Sequence, residues 1–248
     1  MKKLIITVCF MVLAFWNFNA HAGSKLTATG SGLVLCPKDI TDGLVGYWKL
    51  DKGTGTTIAD SSGQNNNGTA TGMSWTTDSQ RGVCGSFDGV DDFVDIGDNL
   101  DLVGSPFSVS FWVNSGTTTP YRGFCIGKYP TGGWSVMNGG SNVTLYMKGG
   151  TSFAHHTSST TYQINQWTHI TVTSDNGSNS AIYINGLGSG TKTDWTITKT
   201  DSTIPLKIGY DANNGKYTLG KIDEVRIYNR ALNDAESLHI YYYDYTNN

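Results

Sequence analysis

Glutamate is nearly missing from this chain of 248 residues: Glu224 and Glu236 are the only two, against 18 aspartates. Hydrolysis of a glycosidic bond needs two carboxyl groups placed across it. Glu224 and Glu236 stand twelve positions apart in the closing segment, and no D-x-D or D-x-x-D falls inside a clear central strand. Histidine is thin as well. His155-His156 sits in a Ser/Thr-rich stretch that reads as a loop without a third metal ligand, and His169 alternates with core residues in a strand. No Cys–His or Ser–His–Asp arrangement stands out, so the chain reads as non-catalytic. Charged residues make up only 15% of it, with a net −3, which argues against nucleic acid or an anionic membrane surface as partner. Helix formers are scarce, and Asp, Asn, Gly, Ser and Thr, the residues of turns, dominate.

Long hydrophobic runs are also missing, apart from one at the start. Lys2 and Lys3 precede an apolar stretch from Leu4 to Trp16, and Ala20-His21-Ala22 gives the small-x-small pattern of a cleavage site. The run is too short for a membrane span of about 20 residues. Residues 1–22 are therefore expected to be a signal peptide, leaving a secreted or periplasmic product near net charge −5 once Lys2 and Lys3 are gone. A lipoprotein acylated at Cys36 is the competing reading; the bulky Leu35 before it and its distance from the apolar run weigh against that.

Three cysteines outlast cleavage, so one disulfide and one free thiol are expected. Cys125 lies in an apolar run, Gly123-Phe124-Cys125-Ile126-Gly127, and reads as a buried small hydrophobe. Cys36 and Cys84 each flank the opening strands and are the expected pair. Residues 23–43 read as a Ser/Thr/Gly-rich leader. From Leu44 onward short apolar runs recur between turn residues, as in a sandwich. Phe107, Val109, Phe111 and Val113 alternate onto one face, and Asn185-Gly186 signals a tight turn after Ile182 and Ile184. In the last strand, plain alternation puts Ile222 on one face and Val225 and Ile227 on the other. The tail alone reads as helical, with Asn233-Asp234-Ala235-Glu236 fitting a cap.

Seven ordered blocks carry a family likeness: GLVGYWKLDKGTG (43–55), DSSGQNNNGTATG (60–72), CGSFDGVDDFVDIG (84–97), FSVSFWV (107–113), WTHITVT (167–173), AIYINGLG (181–188) and GKIDEVRIYNRALNDAE (220–236). Together they resemble the laminin-G-like domain of the concanavalin A-like lectin/glucanase superfamily. The resemblance implies an all-β, two-sheet antiparallel jelly-roll sandwich with a short C-terminal helix, covering 44–243. It implies that the first and last strands lie side by side, often tied by calcium. Asp60, Asn66, Gly68 and Asp223 occupy the positions the family uses for that ion, and calcium takes six to eight oxygens of these types. Without the ion, Asp60 would head a turn and Asp223 would pair with a cation such as Arg226. The acidic cluster Asp88, Asp91, Asp92 and Asp95 reads as a solvated turn and is given no ligand.

The same jelly roll carries glycoside hydrolases, but their paired glutamates on one strand have no counterpart here. A carbohydrate-binding module is the expected function. Tyr129, Trp134, Trp195, Tyr210 and Tyr217, in Gly/Thr/Asn-rich surroundings, are the candidate sugar-stacking residues, with plugging of the sandwich ends as the alternative for Trp134 and Trp195. Trp48, Trp112 and Trp167 read as packing. A surface adhesion protein with an extracellular protein partner is the second expectation.

Overall fold

The computed structural model describes residues 25–29, 32–36, 39–129, 132–176, 178–193, 199–200 and 203–247, with side chains described between Asp39 and Thr246. The expected signal peptide and Trp195 lie outside the described residues. The chain opens with β1 (Lys25–Thr29), β2 (Gly32–Cys36), β3 (Leu44–Trp48), β4 (Thr57–Ile58), β5 (Gly68–Thr71), β6 (Ser74–Asp78) and β7 (Gly82–Asp88). It continues with β8 (Phe93–Gly97), β9 (Phe107–Ser115), β10 (Cys125–Lys128), β11 (Gly133–Gly139), β12 (Asn142–Gly149), β13 (Ser152–Thr161) and β14 (Trp167–Ser174). It closes with β15 (Ser180–Ile184), β16 (Leu187–Lys192), β17 (Leu206–Ile208), β18 (Tyr210–Asp211), β19 (Lys216–Tyr217), β20 (Leu219–Tyr228) and α1 (Asp234–Asn247). No described helix is long and apolar enough to cross a membrane.

Two antiparallel sheets of eight strands each form the sandwich. One runs β13-β12-β11-β10-β17-β8-β5-β4; the other runs β16-β15-β14-β9-β20-β7-β6, with β3 also paired to β20. The first and last strands of the expected domain do lie side by side, with Trp48 opposite Val225 and Tyr47 opposite Arg226. One core fills the gap, as two layers with one apolar face each require. Phe107, Val109, Phe111 and Val113 of β9 are all fully buried in it, as alternation predicts.

Alternation fails in β20. Ile222, Val225 and Ile227 all enter the same core, because the register shifts between Asp223 and Arg226 and Glu224 takes a φ of +54°. That bulge inserts a residue and returns Val225 to the inner face. Two turn signals are realised as read. Asn185 and Gly186 adopt φ of +52° and +75° between β15 and β16. Asn233 and Glu236 form a reciprocal cap on α1, at 2.9 and 3.0 Å. His155 and His156 lie in β13 rather than a loop. Cys84 and Cys125 are both buried free thiols, so the expected Cys36–Cys84 bond is not formed in this structure; the Cys36 side chain lies outside the described residues. Burial pushes the Cys84 thiol up to about 12, which leaves it unreactive.

Candidate functional site

The residues that the family resemblance assigned to calcium are held by protein donors. Asp60 Oδ1 accepts the Tyr47 and Ser62 amides at 2.9 and 2.8 Å, and Oδ2 accepts the Ser62 hydroxyl and Asn66 amide at 2.8 and 2.9 Å. Those four donors use the lone pairs of both oxygens. The Asn66 carbonyl takes the Trp48 indole N–H at 2.8 Å, and its side-chain amide donates to Val45. Gly68 has a packing reason instead: a Cβ there would meet Ile96 and Val94 at 2.6 and 2.7 Å. Asp223 is buried, and Arg81 Nε and Nη2 both reach its Oδ2 at 3.0 Å. Burial drives that carboxyl up to about 8, outweighing the pull of Arg81. As arranged, these four residues do not fit a calcium ion. The cation beside Asp223 is Arg81, whereas Arg226 binds Glu224 and Asp244.

Asp88, Asp91 and Asp92 bring carboxylate oxygens within 4.8 Å of one another. Asp88 Oδ1 accepts the Val90 amide and Asp92 Oδ2 the Asp88 amide, both at 2.8 Å, so this is a hydrogen-bonded turn; Asp92 is buried rather than solvated as expected, and Asp95 lies on β8. Both glutamates serve the scaffold. Glu224 binds Arg226 and the Tyr47 hydroxyl, and Glu236 caps α1 while pairing with Arg230 at 2.9 Å.

The five candidate aromatics separate. Trp134 is fully buried, its ring 5.2 Å from that of Phe107, which corrects the expectation that it stands at a ligand surface. Its register explains this: it lies opposite Lys128 and Met147, both fully buried on the inner face. Tyr129, Tyr210 and Tyr217 remain half-buried, and all three lie on the outer side of the long β13-to-β4 sheet.

There they meet residues that sequence reading missed. Tyr146, on β12, has its ring 6.1 Å from Tyr129, 6.4 Å from Tyr121 and 5.7 Å from His155. Tyr210 and Tyr217 pair across the β18–β19 hairpin at 4.7 Å, with Phe93 6.1 Å beyond Tyr210. Beneath them Asp211, only 1% exposed, is satisfied by the Asn213 amide at 2.9 Å and the Asn214 side chain at 2.6 Å. Burial first, and then the nearby Asp211 carboxylate, raise the Tyr129 phenol above its usual value. Burial together with the Tyr121 hydroxyl does the same for Tyr146. These hydroxyls therefore stay protonated and can both donate and accept.

Tyr121 is held at a φ of +65°, a conformation a bulky residue rarely adopts. Its amide donates to the Asn138 carbonyl at 2.9 Å, and the fully buried Asn138 side chain ties down Gly123 and Thr119 on either side. Strain maintained this way concentrates at ligand-contacting positions. Tyr146 had a usable signal in the sequence: it alternates outward from Val143, Leu145 and Met147. Tyr121 and Asp211 had none.

A family profile described as the concanavalin A-like lectin/glucanases superfamily matches residues 88–236, more than half of the chain. The chain belongs to this superfamily. No curated protein matches the sequence. Among solved structures, it is similar to the binding domain of a paraclostridial mosquitocidal protein, with 20% identity and TM-score 0.68, over 82% of this chain and 52% of that one. Domain 4 of AbnA, a GH43 extracellular arabinanase from Geobacillus stearothermophilus solved with arabinotriose, matches with 23% identity and TM-score 0.65, over 79% and 97%. The binding domain of botulinum neurotoxin DC, solved with rat synaptotagmin II, matches with 18% identity and TM-score 0.60, over 83% and 52%. This chain thus spans about half the length of the toxin domains. At such identities the likeness establishes the fold.

Proposed function

We propose that this chain is an exported, non-catalytic carbohydrate-binding module whose ligand surface is the outer side of the long sheet. The observation that carries this reading is the plate formed by Tyr121, Tyr129 and Tyr146, continued by Tyr210 and Tyr217. Half-buried rings fixed by neighbours present apolar faces to the C–H face of a sugar, and their phenols supply hydroxyl partners with little ordering cost. The likeness to an arabinanase domain solved with arabinotriose supports the reading. So does the commitment of both glutamates to the scaffold, which leaves no glutamate pair for hydrolysis.

A protein partner is the second reading. It is favoured by the tyrosines that α1 turns outward: Tyr242, Tyr243 and Tyr245 are 50%, 44% and 66% exposed. A glycan array followed by calorimetry on a retained oligosaccharide separates the two. Tyr146→Ala is expected to weaken binding about threefold to tenfold, the worth of one aromatic contact, with Tyr146→Phe retaining most of it. A glycan-binding protein indifferent to Tyr146→Ala would place the surface elsewhere.

A further inference from the structure

The strand register lines up one residue from each strand of the long sheet in a single row across it. His155 lies opposite Tyr146, Tyr146 opposite Ser135, and Ser135 opposite Gly127. Gly127 lies opposite Lys207, Lys207 opposite Asp95, Asp95 opposite Thr69, and Thr69 opposite Thr57. All sit on the outer face, because their neighbours Ile126, Val136, Leu145, Val94 and Ala70 point into the core.

The row changes character along its length. At the β12–β13 end stands the tyrosine plate. In the middle the residues are small, and a Cβ at Gly127 would collide with the β11 backbone at 2.4 Å. Ser135 and Cys125 are nearly fully covered there although they face outward, since the β18–β19 hairpin packs over β10. At the far end lies an open depression of about 470 Å³ lined by Asn67, Thr69, Thr71, Phe93, Asp95 and Gly97. Thr69 and Thr71 are exposed on its floor.

Building on the carbohydrate reading above, we infer that the ligand is a linear glycan bound as an internal stretch. It lies across the strands from the Tyr121/Tyr129/Tyr146 plate, over the Tyr210–Tyr217 pair, to the Thr69/Thr71 depression. Length is the first argument. Tyr146 and Asp95 are four strand spacings apart, about 19 Å, and Thr69 is one further, which is several sugar rings. The two ends also differ in chemistry: stacking faces at one, hydroxyls and a carboxylate at the other. A chain crossing both would be gripped by its ring faces and then by its hydroxyl groups.

The test is calorimetry with length-graded arabino-, xylo-, manno- and cello-oligosaccharides of one to six units, on wild type, Tyr146→Ala and the double variant Thr69→Ala/Thr71→Ala. In the series that binds, affinity should climb with length by at least tenfold between three and six units. The double variant should lose most of that gain while binding the trimer as wild type does, with an unchanged melting temperature. Length-independent binding that Tyr146→Ala abolishes would overturn the chain proposal and leave the carbohydrate reading standing. Equal loss for trimer and hexamer in the double variant would also overturn it. Failure of every series to bind would sink both readings together.

Discussion

Each sheet turns a polar outer face away from the shared core, and the molecule treats the two faces oppositely. On the sheet that contains β20, the face is sealed. Asp244 of α1 receives both Arg226 Nη1 and Nη2, at 2.7 and 2.8 Å, and its backbone carbonyl takes Arg81 at 3.0 Å. Tyr241 stacks on Trp112 at 5.5 Å. Arg81, Trp112, His169, Asp223 and Arg226 are each no more than 5% exposed as a result. On the long sheet the aromatics are only half covered, and no helix among the described residues lies over them. Polar groups that are buried must find partners inside the protein; groups kept at the surface can find them in a ligand. The sealed face is therefore scaffold, and the open face is where function is sought.

The largest effects belong to the sealed face and the core. Arg226→Ala leaves Glu224 and Asp244 buried without their cation, and breaking a buried pair from one side costs about 3–5 kcal/mol. Trp134→Ala should cost a similar amount, about 3–5 kcal/mol, through the cavity it leaves beside Phe107. Chemical denaturation measures both. Oligosaccharide affinity of the molecules that remain folded should be unchanged. A Trp134→Ala protein of wild-type stability that had lost glycan binding would reverse the division between the two faces.

Acid should act next, and through groups removed from the tyrosine plate. His156 is buried between the sheet edges, its Nδ1 2.8 Å from the Ser180 hydroxyl, and burial lowers it from 6.5 to about 4. His169, buried with Ser110 under α1, is lowered in the same direction by burial and then by Arg226 and Arg81. Both are neutral when folded, so below pH 6.5 the unfolded chain binds more protons. Their contribution to stability is thus complete above pH 6.5 and is lost as the pH drops from 6.5 towards 4, against the opposite trend of the Asp223 carboxyl, which burial raises to about 8. His156→Gln should flatten part of that fall. An unaltered pH profile would mean that His156 is solvated in the native state.

How much of this could be read from the sequence differs between the faces for physical reasons. Alternation located β9, because one side of it faces the single core; β12 carries the same pattern, which the sequence reading passed over. The Asn185-Gly186 turn and the Asn233/Glu236 cap were legible because their geometry is set within four residues. The β20 bulge was not, since Asp223 and Glu224 are held by Arg81 and Tyr47, partners distant in sequence. Trp134 misled because Gly132 and Gly133 precede it, a loop-like context inside a buried strand. Of the open face, the polar surroundings of Tyr129, Tyr210 and Tyr217 signalled that these rings are not core, and they are half-buried. Tyr121 and Asp211 join them only through the fold.

The smallest effect is expected from calcium, and it bears on the comparison because Asp223 belongs to the sealed sheet while Asp60, in the β4–β5 connection of the long sheet, is tied to β3 through Tyr47. An ion that bound only the folded state would stabilise it by about 3 kcal/mol at a hundredfold excess over its dissociation constant. Asp60 already holds four hydrogen-bond donors, and Arg81 already holds Asp223 Oδ2. A calcium ion at these residues would have to compete with both sets. The melting temperature should therefore show no calcium response, relative to chelator, that depends on Asp60 or Asp223. Melting curves of wild type and Asp223→Asn, with and without calcium, decide it. A calcium-dependent rise in wild type that Asp223→Asn removes would show that the ion, and not Arg81, ties the closing strand in solution.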